Sequence, residues 1–428
     1  MSILLPRNLE TQAYWEQSDG SIIDLYGNVM SSQERLQILE TVENLPITLE
    51  KERIKQVIGN NLITILQWET WSGKSTQLPK FLAEDGSEII TTAPKVMAAM
   101  WLASRVSKEK LAETGNPEYS VWYGIWYRTG EEVSSRHKSP ISFHTDGTEL
   151  MRRNMSWSNS DILILDEVHN FSIPTEILAM KIRNEMLKTK KDMRLVIMSA
   201  TLDPQIFQDY FKDIENDIPF LSIPGRTFPV EHYYNNAQNI EKTILTQAKK
   251  KNNILVFCEW KRHIAETVAS LESQASEIWH EVEILPLHSE LSISERQNVV
   301  ATPRFGVTKI IVATNIAEES ITIPYINTVI DLGKEKSMKH NKFGIAELRS
   351  ENIAKANSKQ RAGRAGRTQN WEYIRMNDFD YEKLKDYPDA PIQNQLLERE
   401  ILLNINGGTN ILEEYYKHKD ADRNLFMH

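Results

Sequence analysis

The sequence predicts an α/β protein built as two tandem lobes, each on a parallel sheet, and three observations carry that reading. Short aliphatic runs alternate with longer stretches of helical periodicity, the pattern of parallel α/β architecture. The runs are near-continuous (ILIL, LVIM, ILVF, IIVA) rather than alternating, as expected of strands covered by helices on both faces. A segment with two prolines and a glycine, IPGRTFPV, separates one series of runs from a second.

Taken in order, the first series gives strands at Leu62–Leu66, Glu88–Ala93, Ile141–Thr145, Asp161–Leu165 and Leu195–Ser199. The second gives Asn253–Cys258, Val282–Leu287, Lys309–Ala313 and Thr328–Asp331. The division that follows is an N-terminal extension at 1–44, a first domain at 45–222, a linker at 223–230, a second domain at 231–385 and a helical segment at 386–428. The first fifty residues carry no legible chemistry. The last segment reads as helix through APIQNQLLEREILLNI, followed by an Asn406-Gly407-Gly408 turn.

A chain of 428 residues has room for several domains, and 40% apolar with 25% charged residues is the composition of a globular protein with sizeable cores. The single cysteine, Cys258, excludes an internal disulfide and a cysteine-based zinc cluster. Neither a signal pattern nor an apolar run of about 18 residues is present, so a cytoplasmic protein without a membrane partner is expected. The net charge of −9 argues against a uniformly basic surface but leaves room for a local basic groove.

The chemistry begins at LITILQWETWSGKSTQLPKFL, which reads as strand, loop and helix. A helix opening at Ser72-Gly73-Lys74-Ser75 presents backbone N–H groups and the positive end of its dipole to phosphate. Lys74 is the residue to reach the β and γ phosphates, and the Ser75 hydroxyl the one to hold Mg²⁺. Some ninety residues on, the strand Ile162–Leu165 ends in Asp166 and Glu167, two acids placed to hold the metal and to orient a water. Taken alone, that acid pair could equally decorate a helix start; Lys74 together with it points to nucleotide hydrolysis.

Several further segments resemble the DEAH-box (RHA-like) helicase family of superfamily 2, in the family's order. Asp166-Glu167-Val168-His169 resembles its DExH box, Ser199-Ala200-Thr201 its coupling motif and Ala313-Thr314-Asn315-Ile316-Ala317-Glu318 its fifth motif. Gln360-Arg361-Ala362-Gly363-Arg364-Ala365-Gly366-Arg367 matches the sixth at every position. Weaker matches are Pro94-Lys95, Thr145-Asp146-Gly147 and Leu287-His288-Ser289, and the resemblance runs from about Leu45 to Arg375.

The resemblance implies two RecA-like (P-loop NTPase) domains, ATP and Mg²⁺ as cofactors, and a nucleic-acid partner, RNA favoured over DNA. It implies a catalytic set of Asp166, Glu167, His169, Gln360, Arg364 and Arg367, the two arginines stabilising charge on the transferring phosphoryl group. Trp68, Glu69, Thr70, Trp71, Ser72, Gly73, Lys74, Ser75 and Thr76 fall on the nucleotide loop, with Ser75 and Asp166 on the metal. Pro94, Lys95, Thr145, Asp146, Gly147 and Thr314 fall on strand contacts, where small polar groups fix register without reading sequence. Family members usually continue into further domains beyond the second lobe. Asn170 and Phe171 depart from the Glu-Arg that commonly follows the box.

The largest departure is in the nucleotide loop. Where the family reads GETGSGK(T/S), this chain reads Trp68-Glu69-Thr70-Trp71-Ser72-Gly73-Lys74-Ser75. Glycine suits such a loop because the backbone curls around phosphate, often at positive φ; an indole could instead fill the nucleotide's space. Trp122, Trp260 and Trp371 also fall on family glycine positions. Glycine is scarce, 17 in 428 residues or about 4% against a usual ~7%. Converting all ten tryptophans would bring it to 27. Two explanations stand at this level. One is a gene whose UGA codons mean glycine, as in some bacterial lineages, read with a table in which UGA means tryptophan. The other is an impaired enzyme retained as a nucleic-acid-binding scaffold.

Overall fold

The computed structural model describes residues 17–388, excluding 18, 69–71, 122, 131–139, 156–160, 171, 190–192, 200–203, 224–229, 235–238, 302, 319–322, 324, 341–344, 366–370 and 377–380. The described chain forms two units, the first through the strand ending at Ile223 and the second from the strand beginning at Val230. The expected linker falls mostly outside the described residues, and so does nearly all of the expected C-terminal helical segment.

The first unit opens with a two-stranded antiparallel hairpin, β1 (Ile22–Ile23) and β2 (Val29–Met30). Helices α1 (Ser32–Glu43), α2 (Pro46–Leu49) and α3 (Lys51–Asn60) follow. The Ser31 hydroxyl caps α1 by accepting from the Glu34 N–H. Next come β3 (Ile63–Trp68), α4 (Lys74–Ala83), β4 (Ile89–Ala93) and α5 (Val96–Thr114). The unit continues with β5 (Ile125–Arg128), β6 (Ile141–Thr145), α6 (Asp146–Met155), β7 (Ile162–Leu165), α7 (Ile173–Thr189), β8 (Arg194–Ser199), α8 (Pro204–Phe211) and β9 (Phe220–Ile223). Its sheet is wholly parallel, in the order β5-β6-β4-β7-β8-β3-β9.

Register decides what meets at the carboxyl edge of this sheet. Leu165, Ile197 and Ile65 share one row across β7, β8 and β3. Asp166 therefore leaves the sheet one residue beyond that row, while β3 runs on to Trp68 beside Ile223 of β9. All three residues of the row are buried, as are Leu66, Ile164 and Met198 beside them. From β3 the chain crosses over β8 and β7 to β4 through α4, leaving a crevice of the kind where α/β sheets bind ligands.

The second unit contains β10 (Val230–Tyr234), α9 (Ile240–Lys249), β11 (Ile254–Phe257), α10 (Lys261–Gln274), β12 (Val282–Leu287), α11 (Ile293–Val300) and β13 (Thr308–Ala313). It is completed by β14 (Thr328–Asp331), β15 (Lys334–His340), β16 (Ala346–Asn352), α12 (Lys355–Ala362) and β17 (Trp371–Arg375). Its sheet is also parallel, in the order β10-β17-β14-β11-β13-β12, and β15 with β16 forms a separate antiparallel hairpin. Two parallel-sheet α/β units are the expected fold class, and all nine expected strands occur within a residue or two of their expected bounds. Among the described residues no helix is long and apolar enough to cross a membrane.

A buried ionic cluster fixes β6 to the helices behind it. The fully buried Glu149 carboxylate accepts from Arg152 Nε at 2.8 Å and Arg153 Nε at 2.8 Å, and lies 2.8 Å from His144 Nδ1. Arg153 reaches on to Glu185 of α7 at 2.7 Å. Burial alone would raise the Glu149 pKa, but the hydrogen bonds and charges of His144, Arg152 and Arg153 hold it well below the usual glutamate range. A carboxylate depressed in this way contributes stability above its unfolded-state pKa and loses it as pH falls toward the folded value. The thermal midpoint of Glu149→Gln should therefore lie well below the parent's at pH 7, and the gap should narrow below about pH 4. A gap independent of pH in a calorimetric series would contradict this role.

Candidate nucleotide site

The candidate site of the first unit is built from the ends of β3, β7 and β8. Gly73 precedes α4 at φ 85°, the left-handed region open to glycine. A Cβ there would stand 2.7 Å from Leu45 Cδ1 and 3.2 Å from Ile47 Cγ2. The Ile47 N–H also donates to the Ser72 carbonyl at 3.3 Å. Leu45 and Ile47 thus back the loop, a role no local sequence pattern marks, because the residues they meet lie in a different element.

Beyond this pivot, Lys74 and Ser75 form the first turn of α4, facing the end of β7. The Ser75 hydroxyl donates to Asp166 Oδ2 at 2.5 Å. Lys74 Nζ lies 3.1 Å from Glu167 Oε1 and 3.6 Å from Asp166 Oδ1, as ion pairs rather than aligned hydrogen bonds. Asp166 is 3% exposed, and its Oδ1 accepts the Glu167 N–H at 2.9 Å. Burial pushes the Asp166 carboxyl above the usual range; Lys74 pulls it down and Glu167 pushes it up again. Burial also works against the Lys74 ammonium, but Glu167 and Asp166 outweigh it and hold its pKa above the ordinary lysine value.

Glu167 itself stands at φ 56°, one of three non-glycine residues with positive φ among those described. That conformation costs about 1–2 kcal/mol for a side-chain-bearing residue. It bends the chain out of β7, where Glu167 Oε2 lies 3.4 Å from His169 Nδ1. His169 in turn meets the Ser199 hydroxyl at the end of β8 at 2.9 Å. Lys74, Ser75, Asp166, Glu167, His169 and Ser199 therefore form one continuous polar cluster. Of the residues expected with them, Glu69, Thr70, Trp71, Ala200 and Thr201 lie outside the described residues.

Trp68 is found elsewhere than expected. It is the last residue of β3 with an extended backbone, and its side chain is 1% exposed in the core with Ile47, Leu66 and Ile223. Pairing with Ile223 continues the strand to position 68, so the backbone there is extended rather than curled. Its indole N–H is buried without a hydrogen-bond partner among the described residues.

The expected strand-contact residues fall at carboxyl edges. Pro94 and half-buried Lys95 join β4 to α5. Thr145 ends β6, its hydroxyl 2.7 Å from that of Thr148, and half-buried Gly147 lies in the first turn of α6. Asp146 differs, because its carboxylate is turned inward to accept from Thr175 at 2.7 Å and burial raises its pKa. In the second unit Thr314 follows β13 and donates its N–H to the Leu287 carbonyl. Gln360 is buried on α12 and Arg364 half-buried just beyond it, while Arg367 lies outside the described residues. The neighbouring Arg361, which carries no assigned role in the motif, is fully buried, with Glu318 at 3.0 Å and Asp331 at 2.8 Å.

A half-buried lysine and serine meet a buried aspartate at the mouth of a parallel sheet, a donor set whose chemistry suits phosphate and a hard cation. A helicase conserved C-terminal domain matches residues 235–369. The chain is a relative of the DEAH/RHA helicases. It is 32% identical over 378 residues to the ATP-dependent RNA helicase HrpA homolog of Haemophilus influenzae, covering 84% of this chain and 28% of that protein. It is 34% identical over 368 residues to the ATP-dependent RNA helicase DEAH12, chloroplastic, of Arabidopsis thaliana, covering 81% and 20%. With DHX34 of Homo sapiens it shares 30% over 383 residues, 84% of this chain and 32% of DHX34. The crystal structure of the Escherichia coli DEAH/RHA helicase HrpB matches with a TM-score of 0.73 at 25% identity, covering 86% of this chain and 47% of that one. The chain thus spans a third or less of the length of these curated relatives.

Gly73→Ala should cost about 1–2 kcal/mol from backbone strain alone, with a further loss from the contact at Leu45. Adding Leu45→Ala should remove the contact but not the strain. Full recovery of the denaturation midpoint in that double variant would show that the left-handed pivot carries no cost.

Proposed function

We propose that the chain is an ATP-dependent RNA helicase or remodeller of RNA–protein complexes, acting in the cytoplasm and hydrolysing ATP. The observation that carries this reading is the cluster of Lys74, Ser75, Asp166 and Glu167. Its relatives, named as ATP-dependent RNA helicases, favour RNA over DNA as the partner.

In this reading Lys74 exchanges its carboxylate partners for the β and γ phosphates, which approach the start of α4. The hydroxyl of Ser75 and the carboxylate of Asp166 are hard oxygen donors suited to Mg²⁺. Among the described residues no group of three or more acids, histidines or cysteines could hold a metal alone, so substrate phosphates would complete the shell. The ion's chemistry there is to neutralise charge developing on the phosphate oxygens. Glu167 accepts a proton from the attacking water, and His169 passes the state of the site through Ser199 to the Ala200-Thr201 segment. Gln360 helps to place the water, and Arg364 and Arg367 stabilise the transferring phosphoryl group. Pro94, Lys95, Thr145, Gly147 and Thr314 hold the strand's backbone, while Asp146 acts indirectly, pinning its turn through Thr175.

The encoded residues at 68 and 71 decide how active the chain is. Glycine at 68, 71, 122, 260 and 371 in the native protein is the reading supported by intact Lys74, Asp166 and Glu167 and by the unpartnered Trp68 indole N–H in the core. UGG codons at these positions, or tryptophan in native tryptic peptides by mass spectrometry, would sink it. If tryptophan is native, Trp68→Gly should open a cavity worth roughly 3–5 kcal/mol of lost stability.

The decisive assay is RNA-stimulated ATP hydrolysis by the chain as written and by Trp68→Gly/Trp71→Gly. Activity in the glycine version alone supports recoding, and activity in neither favours a strand-binding scaffold. Glu167→Gln in the active version should lower kcat at least about a hundredfold while ATP still binds. Retained turnover would remove Glu167 from its assigned role.

A further inference from the structure

A buried network joins the phosphate-loop helix to the helix that starts at a candidate strand-contact segment. α4 carries Lys74 and Ser75 at its start, and Gln77 and Lys80 on its next turn and a half. α5 begins directly after Pro94 and Lys95 and carries Arg105, Glu109 and Glu113 farther along. Glu109 is 1% exposed. Its Oε2 accepts from Gln77 Nε2 at 2.7 Å and from Lys80 Nζ at 3.0 Å, and its Oε1 accepts from Arg105 Nε at 2.7 Å.

The network reaches the loop's pivot through side chains alone. Gln77 Nε2 also donates to Thr76 Oγ1 at 3.0 Å, and Thr76 Oγ1 donates to the Gly73 carbonyl at 3.2 Å. The Gln77 N–H donates to the same carbonyl at 2.8 Å. The amide oxygen of Gln77 is buried without a partner among the described residues. Its orientation is therefore imposed by Glu109 at the cost of an unmet acceptor, which a side chain free to choose would avoid. Lys80 has an independent partner in Glu113 at 2.5 Å, so it ties the two helices together without involving the loop.

We propose that Glu109 is a positioning residue for the nucleotide: through Gln77 and Thr76 it sets the Gly73 pivot, and it thereby couples the phosphate loop to the segment Pro94–Lys95 that opens α5. The helix from Val96 to Thr114 is a single rigid element, so a strand pressing on its start shifts Glu109 and with it the Gln77 amide. This inference rests on the ATPase reading above.

The two roles of the network can be separated by substitution. Gln77→Leu removes the relay and leaves the Lys80–Glu109 pair; Lys80→Met removes that pair and leaves the relay. Both are made in the full chain, in whichever background, as written or Trp68→Gly/Trp71→Gly, hydrolyses ATP. Gln77→Leu should raise KM for ATP about tenfold, the loss of roughly one buried charge-assisted hydrogen bond. It should also cut the stimulation of kcat by a poly(U) strand at least about threefold. Lys80→Met should lower the thermal midpoint and leave KM and stimulation at parental values. Glu109→Gln, assayed well below its own midpoint, should behave as Gln77→Leu and serves should that variant not fold. The proposal stands only if KM and stimulation both move with the relay. If either stays parental, or if Lys80→Met moves them equally, the network is structural only. A parent that hydrolyses no ATP in either background overturns the functional reading itself, and this inference with it.

Discussion

Everything at the candidate site depends on a lysine and two acids held together at the edge of the sheet, Asp166 buried and Lys74 and Glu167 partly so. Placing Lys74, Asp166 and Glu167 at the mouth of the sheet removes much of the hydration of three charged groups, a loss the pairs must offset by geometry. The offset is incomplete on the acid side, since Asp166 is left above the usual carboxylate range while Lys74 is held firmly protonated. A site in that state is poised toward more positive charge near Asp166 and toward an anion that can draw Lys74 away. A phosphate with its divalent cation supplies both at once. The pairs within the cluster thus hold together as they stand, with the Asp166 carboxylate the least well compensated of the three charges.

The sheet makes that meeting possible. Lys74 and Asp166 are 92 positions apart in sequence, and β8, which separates their strands, arrives later still. Only parallel strands in register bring the ends of β3, β7 and β8 to one edge. The left-handed residues then turn the chain where the strands stop. Gly73 does so at no steric cost, and Glu167 does so under strain, which fits a side chain whose direction matters more than its comfort.

What the sequence displayed and what it hid divide along a physical line. The nine strands it displayed are chiefly aliphatic runs, legible because burial on both faces leaves no polar alternation. Strands such as β10 (VEHYY) and the charged hairpin β15–β16 show no aliphatic run because they face water and carry mixed residues, while β5 (IWYR) is buried but too short and aromatic to stand out. At the site, Lys74, Ser75, Asp166 and Glu167 were legible because their spacing is local to two strand ends. Leu45, Ile47, Glu109 and Glu149 were not, since each acts through partners in another element. Glu149, Arg152 and Arg153 carry no spacing that marks them out in the sequence, and it is the packing of α6 against β6 and α7 that buries Glu149 and Arg153 and joins the three in one cluster.

The tryptophans show the same division most sharply. Their departure from glycine was first a backbone argument, and at Trp68 and Trp260 the backbone does not sustain it. Both are extended, and neither is among the residues with positive φ. Trp260 is 40% exposed with Lys336 Nζ 3.9 Å over its ring, an arrangement that any surface could accommodate. Trp68 is different. Its indole fills a core behind the phosphate loop, gaining apolar burial, yet leaves its one polar atom unmet at a cost of about 1–3 kcal/mol. A core selected around an indole normally gives that N–H a partner. At position 68 the structure thus adds an unanswered hydrogen bond within a packed interior, not a backbone curvature that demands glycine.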